Sequence, residues 1–154
     1  MNKENTRYIA QNRKARHEYH IEDSLEVGIM LEGTEVKSLR AGKISIAEAF
    51  ATNIGDELFL MHAHIPEYEK ANPLFNHNSR RPRKLLLHKA QVNKLLGKIK
   101  TKGYTLFPLS VYFNNKNKVK VELALAKGKH LFDKRASIKE REWKIEKART
   151  LREK

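Results

Sequence analysis

The sequence predicts a mainly β protein, a small closed antiparallel barrel of about six strands with flanking helices. The first observation is a strict alternation at residues 118–126, where every second residue is apolar: Val119, Val121, Leu123 and Leu125. The second is the density of short strand patterns, which turn signals separate throughout residues 17–130. The third is an amphipathic helical pattern among those strands. Together these patterns are typical of an OB-like barrel.

The other strands are predicted from shorter runs of apolar and β-branched residues, at positions 18–22, 25–31, 44–52, 57–65 and 104–113. Turns at residues 53–56 and 114–117 predict two hairpins. Pro108 lies inside the run 104–113, which predicts an edge position or a bulge there, because proline cannot donate to a strand ladder.

The amphipathic helix is predicted near residues 92–99, and Gly103 follows its end. Its apolar residues recur at the i, i+3, i+4 and i+7 positions: Val92, Leu95, Leu96 and Ile99. Residues 66–82 before it contain three prolines and no periodicity, which predicts a long irregular segment.

That segment ends in a basic cluster beside an apolar run, and the cluster comprises Arg80, Arg81, Arg83 and Lys84. Charge fixed at the rim of a fold is suited to phosphate contacts. The alternative is a loop that arginines merely keep in solution.

A second, short helix is predicted at residues 33–43. Thr34 is its predicted N-cap, and Gly42 is predicted in the left-handed conformation that ends a helix. Val36 and Leu39 lie three residues apart and share a side that can pack on a larger body.

A different side of this helix carries Lys37 and Arg40, and Lys43 lies just past its end. Since so short a helix is unstable alone, it must dock on the barrel. Docked, it would present a row of positive charge on a rigid mount. The alternative is a capped surface helix with solvated lysines.

The chain divides into three predicted parts. Residues 1–16 form a basic N-terminal arm with almost nothing to bury, and residues 17–130 form the barrel domain. Residues 131–154 form a basic tail that is disordered when free and helical along a polyanion or partner. Trp143, the only tryptophan, lies in this tail, where a contact role is favoured over burial.

The charge balance predicts a polyanionic partner. The 154 residues include 32 Lys and Arg against 18 Asp and Glu, a formal net charge of +14. Such an excess favours nucleic acid or an acidic membrane surface. Cysteine is absent, and the chain has no apolar run of transmembrane or signal length, so a cytoplasmic protein without disulfides is expected.

Catalytic patterns are nearly absent, which predicts a binding protein rather than an enzyme. His62 and His64 lie two residues apart and could share a strand face as a metal pair, but no third ligand stands at a suitable spacing. An RNA-processing enzyme would need clustered carboxylates for metal ions, and the sequence lacks them. No metal and no cofactor are expected.

Four motifs together resemble one family. They are residues 33–43, residues 83–88, residues 126–129 and residues 133–135. In this order and spacing they resemble the SsrA-binding protein (small protein B) family, whose members bind transfer-messenger RNA in bacterial ribosome rescue. The likeness extends from about Tyr8 to Arg149.

The resemblance implies an oligonucleotide-binding-type barrel that binds the tRNA-like domain of transfer-messenger RNA. It implies RNA contacts at Asn12, Arg13, Lys14, Arg16, Glu26, Lys37, Ser38, Arg40, Arg83, Lys84, Leu86, His88, Lys120, Lys127, Gly128 and Lys129. Lys43 and Lys118 join this set because they lie on the same predicted basic faces. A carboxylate such as Glu26 can accept hydrogen bonds from base amino groups, which phosphates cannot offer.

The resemblance also implies a ribosomal role for the tail, which would enter the empty mRNA channel and decoding centre of a stalled ribosome. The implied contacts are Phe132, Asp133, Lys134, Arg135, Ile138, Lys139, Arg141 and Trp143. The Leu131-Phe132 pair departs from relatives, which often carry a polar residue or histidine there. A translational GTPase is a further implied partner, and a monomer is expected. The alternative is a generic barrel RNA-binding protein of the translation machinery.

Overall fold

Seven strands and three α-helices form the part of the chain that the computed structural model describes, residues 6–101 and 103–128. In chain order they are β1 (Arg7–Gln11), α1 (Arg13–Glu18), β2 (Tyr19–Ile29), α2 (Gly33–Arg40), β3 (Phe50–Ile54), β4 (Glu57–Met61), β5 (Arg83–Leu86), α3 (Lys89–Ile99), β6 (Tyr104–Phe113) and β7 (Val119–Gly128). The predicted antiparallel barrel with flanking helices is confirmed.

The strands close into an uneven ring. Six of them follow the order β6-β3-β4-β5-β2-β7, and β7 pairs again with β6, while β1 extends the sheet from β6. The β2–β7 pairing is long and runs from Tyr19↔Gly128 to Gly28↔Lys120. In contrast, β3 joins β6 only at Ala51↔Leu106. The strand pairing in the ring is therefore most extensive between β2, β7 and β6.

Alternating side chains of the strands fill the barrel interior, and the burial of Val121, Leu123 and Leu125 confirms the strongest sequence pattern. The predicted amphipathic helix is α3, whose Val92 and Leu95 are buried in the same core. Burying such apolar surface is the main contribution to stability, at about 25 cal/mol per Å².

The predicted short helix is α2, and it covers the end of the barrel at which β6 finishes. Leu39 is buried against Ile65 and Phe113 there. The predicted cap was wrong, because Glu32 occupies the N-cap position and its backbone N–H donates to Oε1 of Glu35 at 2.8 Å. Gly42 has φ 76°, as predicted for the residue that ends the helix.

The N-terminal residues contain structure that the sequence analysis missed. No element was predicted in residues 1–16, yet β1 pairs with β6 from Arg7↔Phe113 to Gln11↔Ser110. The helix α1 then packs Ala15 against Phe107 on the outside of the barrel. Short strands whose partner lies about a hundred positions away carry little local signal, which is why β1 was missed.

Three predicted strand boundaries were also wrong. The runs 18–22 and 25–31 are one strand, β2, with an irregularity between Ile21 and Asp23. The run 57–65 ends at Met61, because His62 has φ 60° and leaves the strand conformation. The run 44–52 enters the sheet only at Phe50, apart from a single bridge between Ser45 and His64.

The segment 66–82 is irregular, as predicted, but hydrogen bonds from side chains to its own backbone fix its conformation. Its one helical element is a 3₁₀ helix at Pro73–Phe75. Asn76 clamps the backbone of Tyr68, since its Nδ2 donates to the Tyr68 carbonyl at 2.9 Å and its Oδ1 accepts from the Tyr68 N–H at 3.2 Å. The strand β5 follows directly, where the sequence analysis had placed only a basic cluster.

Candidate nucleic-acid interface

The strand register brings five residues from five strands into one line across the outside of the barrel. Gly28 of β2 pairs with Leu86 of β5 and with Lys120 of β7, and Lys120 pairs with Tyr112 of β6, which pairs with Tyr8 of β1. The neighbouring residues Val27, Val111 and Val121 lie in the core, so this line faces outward. We call these five residues the cross-strand row.

The row combines a cation with exposed apolar and aromatic surface. Tyr8 is 49% exposed and Leu86 is 45% exposed, one at each end. The Tyr8 and Tyr112 rings lie 5.5 Å apart at 54°, so Tyr8 covers Tyr112. In the middle, Gly28 is buried beneath Leu86, and a Cβ on it would lie only 3.1 Å from Cβ of Leu86, so a larger residue there would displace Leu86. Such a surface offers platforms for stacking bases beside a cation for phosphate.

Two carboxylates lie next to the row. Glu26 pairs in register with Glu122, and a hydroxyl from β6 holds each of them. The Tyr112 hydroxyl donates to Oε2 of Glu26, and the Ser110 hydroxyl donates to Oε2 of Glu122 at 3.1 Å. Burial, together with the hydrogen bond to Glu26, raises the pKa of Tyr112 well above its usual value. Tyr112 therefore stays protonated as a donor.

The helix α1 borders this face and exposes Arg13, Lys14 and Arg16, with Nη2 of Arg16 3.8 Å from Oε2 of Glu122. Asn12 is different, because its side chain is buried. Its Oδ1 accepts from the Ala15 N–H at 3.2 Å and caps the helix. The side chain of Asn12 thus has a structural role here, and the RNA contact predicted at this position stays a prediction.

The basic side of α2 lies beside the start of β1. Nη2 of Arg7 donates to the Arg40 carbonyl at 2.8 Å, and the Arg7 guanidinium stands 5.7 Å from the centre of the Phe113 ring. Lys37, Arg40 and Lys43 are exposed there, as predicted. The hydrogen bond from Arg7 thus connects the basic side of α2 to β1, the strand that contains Tyr8.

Two predicted contact residues are buried instead of exposed. The Ser38 hydroxyl donates to the Pro66 carbonyl at 2.7 Å and attaches α2 to the segment 66–82. Arg83 is 0% exposed, and its Nη1 donates to the Ala63 carbonyl at 2.8 Å. Neither side chain presents a surface to solvent, and the RNA contacts predicted for both residues stay predictions.

Arg83 belongs to a buried ionic network that mounts α2. Glu35 is 0% exposed, its Oε2 accepts from Nε of Arg83, and its Oε1 accepts from Nε of Arg81 at 3.1 Å. Burial acts to raise the pKa of Glu35, but hydrogen bonds from Arg81, the Glu32 backbone and Arg83 outweigh it and leave this pKa lowered. The network is a rigid support for the basic helix.

The remaining predicted contacts differ in their distance from the cross-strand row. Lys84 lies 2.7 Å from Glu57, His88 is exposed at the start of α3, and Lys118 is exposed in the β6–β7 turn. Lys127 stands 5.1 Å from the centre of the Tyr104 ring, seven residues beyond Lys120 on β7. That separation is roughly 23 Å along the strand. Lys84 and His88 each lie two residues from Leu86 of the cross-strand row, and Lys118 lies two residues from Lys120, so only Lys127 is far from the row.

The predictions for the C-terminal residues lie outside the described part of the chain. They concern Lys129 and the ribosomal set Phe132, Asp133, Lys134, Arg135, Ile138, Lys139, Arg141 and Trp143. Gly128 is the last described residue and ends β7.

Metal-binding geometry is not found among residues 6–101 and 103–128, where no group of three His, Asp or Glu side chains could hold an ion. The predicted strand pair His62 and His64 is not formed, since His62 lies in a left-handed conformation beyond the end of β4. Within the same residues, no helix is both long and apolar enough to cross a membrane.

Three residues of this surface were missed by the sequence analysis: Arg7, Tyr8 and Tyr112. Arg7 and Tyr8 belong to the predicted basic N-terminal arm, where an isolated tyrosine among polar residues was an available signal. Tyr112 was taken as an ordinary strand residue, and only the register reveals that it lies between Lys120 and Tyr8.

Comparisons with known proteins agree on one family. The family model described as "SmpB protein" matches residues 9–153. An SsrA-binding protein of Rickettsia canadensis (strain McKiel) is 62% identical over 152 residues, which is 97% of this chain and 99% of that protein. One of Rickettsia bellii (strain OSU 85-389) is 60% identical over 146 residues, with 95% of this chain and 96% of that protein covered.

A solved structure shows the same fold. It is described as "tmRNA-SmpB: a journey to the center of the bacterial ribosome", and one of its chains is 50% identical to this chain with a TM-score of 0.67. The match covers 81% of this chain and 87% of that one.

Proposed function

The chain belongs to the SmpB protein family, and from that premise we propose that it binds transfer-messenger RNA and delivers it to stalled ribosomes for trans-translation. The relatives are SsrA-binding proteins along nearly the whole length of this chain. The relatives therefore match both the barrel and the C-terminal residues of this chain, and the proposed function uses both parts.

The main observation in support of this proposal is the cross-strand row together with the neighbouring Glu26. Glu26, Leu86 and Lys120 come from distant parts of the sequence, and the resemblance alone implied each of them as an RNA contact. The fold places them on the neighbouring strands β2, β5 and β7. A binding surface that three separate strands assemble supports a structured RNA as the ligand.

The proposed mechanism is binding without a chemical step. Lys37, Arg40 and Lys120 neutralise phosphates, which fixes the orientation of the RNA but carries no base information. Tyr8 stacks with an unpaired base, and Glu26 accepts a hydrogen bond from a base. The barrel thereby clamps the RNA by its shape, its charge and one base contact.

The C-terminal residues complete the proposal. They would contact the decoding centre and the mRNA channel, starting at Phe132 and Asp133, so that only a ribosome with an empty channel is engaged. A translational GTPase would accompany the delivery complex, and the chain would act as a monomer. Since ribosomes are the site of action, we place this function in the cytoplasm.

Competition binding tests the proposal. The full-length chain is mixed with labelled tRNA-like domain of transfer-messenger RNA, and an elongator tRNA of similar size and shape competes at physiological salt. We expect a preference of at least about tenfold, or 1.4 kcal/mol, for the tRNA-like domain. Equal affinity for the two RNAs would instead favour a generic RNA-binding protein of the translation machinery.

A further inference from the structure

A small cavity opens beside the cross-strand row, between β1, β2, β6 and β7. Its lining includes Tyr8, Ser24, Glu26, Tyr112 and Glu122. Glu26 is exposed, whereas Tyr112 is only 4% exposed and directs its hydroxyl to Oε2 of Glu26. The contact joins residues 86 positions apart, so the fold and not local sequence creates it.

We propose that Tyr112 is a positioning residue for base recognition, whose hydroxyl fixes the Glu26 carboxylate so that Oε1 accepts a hydrogen bond from the amino group of an unpaired nucleobase. This inference rests on the proposed function and deepens it. It assigns to the surface one element that recognises a base, among many that recognise phosphate.

The chemistry of the cavity points to a donor group as its ligand. Ionised carboxylates only accept hydrogen bonds, and the two in register, Glu26 and Glu122, repel phosphate oxygens. Guanine, adenine and cytosine each carry an exocyclic amino group that donates. The Tyr8 ring, half exposed at the edge of the cavity, is placed for such a base to stack on it.

The Tyr112 hydroxyl improves Glu26 as an acceptor because it restricts the rotamers of the glutamate side chain before the ligand binds. An exposed glutamate loses rotamer entropy when it is fixed by a ligand, which weakens binding. Here the Tyr112 ring is held between the sheet and Tyr8, and its hydroxyl already occupies Oε2. Oε1 remains as the acceptor. The raised pKa of Tyr112 keeps the hydroxyl protonated in this role.

The arrangement is also costly for folding alone. Like charges directly opposite each other on adjacent strands destabilise a sheet. The Ser110 and Tyr112 hydroxyls of β6 donate to Glu122 and Glu26, and Arg16 lies 3.8 Å from Glu122, whereas the bond from Tyr112 is the contact that orients Glu26. Glu26 has a tyrosine hydroxyl as its partner and, among the residues that the structure describes, no cation, which is consistent with a ligand that donates to its second oxygen.

The chain offers a matched control at the other end of the same strands. The Tyr104 hydroxyl donates to Oε1 of Glu22 at 2.8 Å, which is again a bond from β6 to β2 across β7. Tyr104→Phe and Tyr112→Phe therefore remove the same chemical group from the same kind of pair. Both keep the aromatic ring and its packing.

Nucleotide-analogue interference provides the test. The tRNA-like domain of transfer-messenger RNA is transcribed with sparse, phosphorothioate-tagged inosine in place of guanosine, which deletes single amino groups. Parallel pools use purine riboside for adenosine and a cytidine analogue without its 4-amino group. RNA bound by the full-length chain is separated from free RNA, and each pool is cleaved at the tags to locate excluded positions.

For the unmodified chain, we expect at least one nucleotide whose missing amino group excludes it from the bound fraction. This interference should disappear in Glu26→Ala, which removes the acceptor, and in Tyr112→Phe, and it should remain in Tyr104→Phe and in Lys37→Ala. The affinity of Tyr112→Phe should fall about three- to tenfold, the range expected for one lost hydrogen bond. Adding Tyr112→Phe to Glu26→Ala should lower the affinity no further.

Two results would overturn the inference while leaving the proposed selective binding of transfer-messenger RNA intact. One is a Tyr112→Phe chain that retains the interference, whatever its affinity, since Tyr112 would then be merely structural. The other is a chain that binds the RNA selectively but shows no amino-group interference dependent on Glu26. A chain with no preference for transfer-messenger RNA at all would instead reject the proposed function, and this inference with it.

Discussion

A chain that ends at Phe132 is expected to bind transfer-messenger RNA with nearly the affinity of the full chain and to support no tagging on stalled ribosomes. The barrel core and the cross-strand row lie entirely within residues 6–128, so RNA binding should survive. The proposed ribosomal contacts begin at Phe132 and are almost all removed. Gel-shift affinity and tagging in a translation reaction on an mRNA without a stop codon measure the two properties separately.

Point substitutions in the same region provide the control for this truncation. Replacing Asp133, Lys134 and Arg135, or Ile138 and Trp143, in the full-length chain should reproduce part of the tagging defect without weakening RNA binding. A truncated chain that tags normally would remove the proposed ribosomal role of these residues. A truncated chain that no longer binds RNA would show that the RNA-binding surface extends beyond the barrel.

Glu35→Ala is expected to lower the free energy of unfolding by about 3–5 kcal/mol, because it leaves the fully buried Arg83 without its counter-charge. That is a large fraction of the stability of a typical domain, which is about 5–15 kcal/mol. Urea denaturation followed by circular dichroism measures it. RNA affinity should fall as well, since α2 loses the support that holds Lys37 and Arg40.

The same network predicts a dependence on pH. Because the pKa of Glu35 is lowered in the folded protein, the unfolded state binds its proton first as the pH falls. The contribution of Glu35 to stability is thus complete above its ordinary pKa of 4.5 and is lost as the pH falls through the lowered folded value. Glu35→Ala should therefore destabilise the protein most at neutral pH.

Glu57→Ala is the matched control, since it removes a glutamate from an exposed pair with Lys84. An exposed ion pair contributes about 0–1 kcal/mol, so this variant should unfold almost as the unmodified chain does. Equal losses of stability in Glu35→Ala and Glu57→Ala would contradict the role of the buried network.

Local sequence patterns were sufficient to predict the strands and helices that are buried on one side only. The alternation around Val121 and Leu123 predicts β7, and the spacing of Val92 and Leu95 predicts α3, because burial on one side imposes each period. Gly42 was predictable for a local reason too, as few other residues adopt its positive φ.

Features that depend on distant partners could not be predicted in this way. Glu35 looks like an ordinary first-turn acid of α2, and only its contacts with Arg81 and Arg83, 46 and 48 positions later, show that it is buried. The exposed Lys37 of the same helix was correctly assigned from the spacing of charges. Sequence thus predicted which side of α2 faces solvent, but not what the other side binds.

The candidate site shows the same division. Leu86 and Lys120 entered the prediction through a family resemblance, whereas Tyr8 and Tyr112 did not enter it at all. A strand register decides which residues are neighbours, and a shift of one residue exchanges the inner and outer faces. The register that pairs Tyr8 with Tyr112 and Tyr112 with Lys120 is visible only in the fold.

The central claim is that the cross-strand row binds transfer-messenger RNA. The most direct test is to measure how tightly a chain with one reversed charge in the row binds this RNA. Lys120→Glu places a third carboxylate beside Glu26 and should weaken binding at least about tenfold. Lys94→Glu, on the exposed side of α3, changes the net charge by the same amount and should bind nearly as the unmodified chain does. Equal losses in the two variants, or none in Lys120→Glu, would contradict the assignment of the row as the RNA-binding surface.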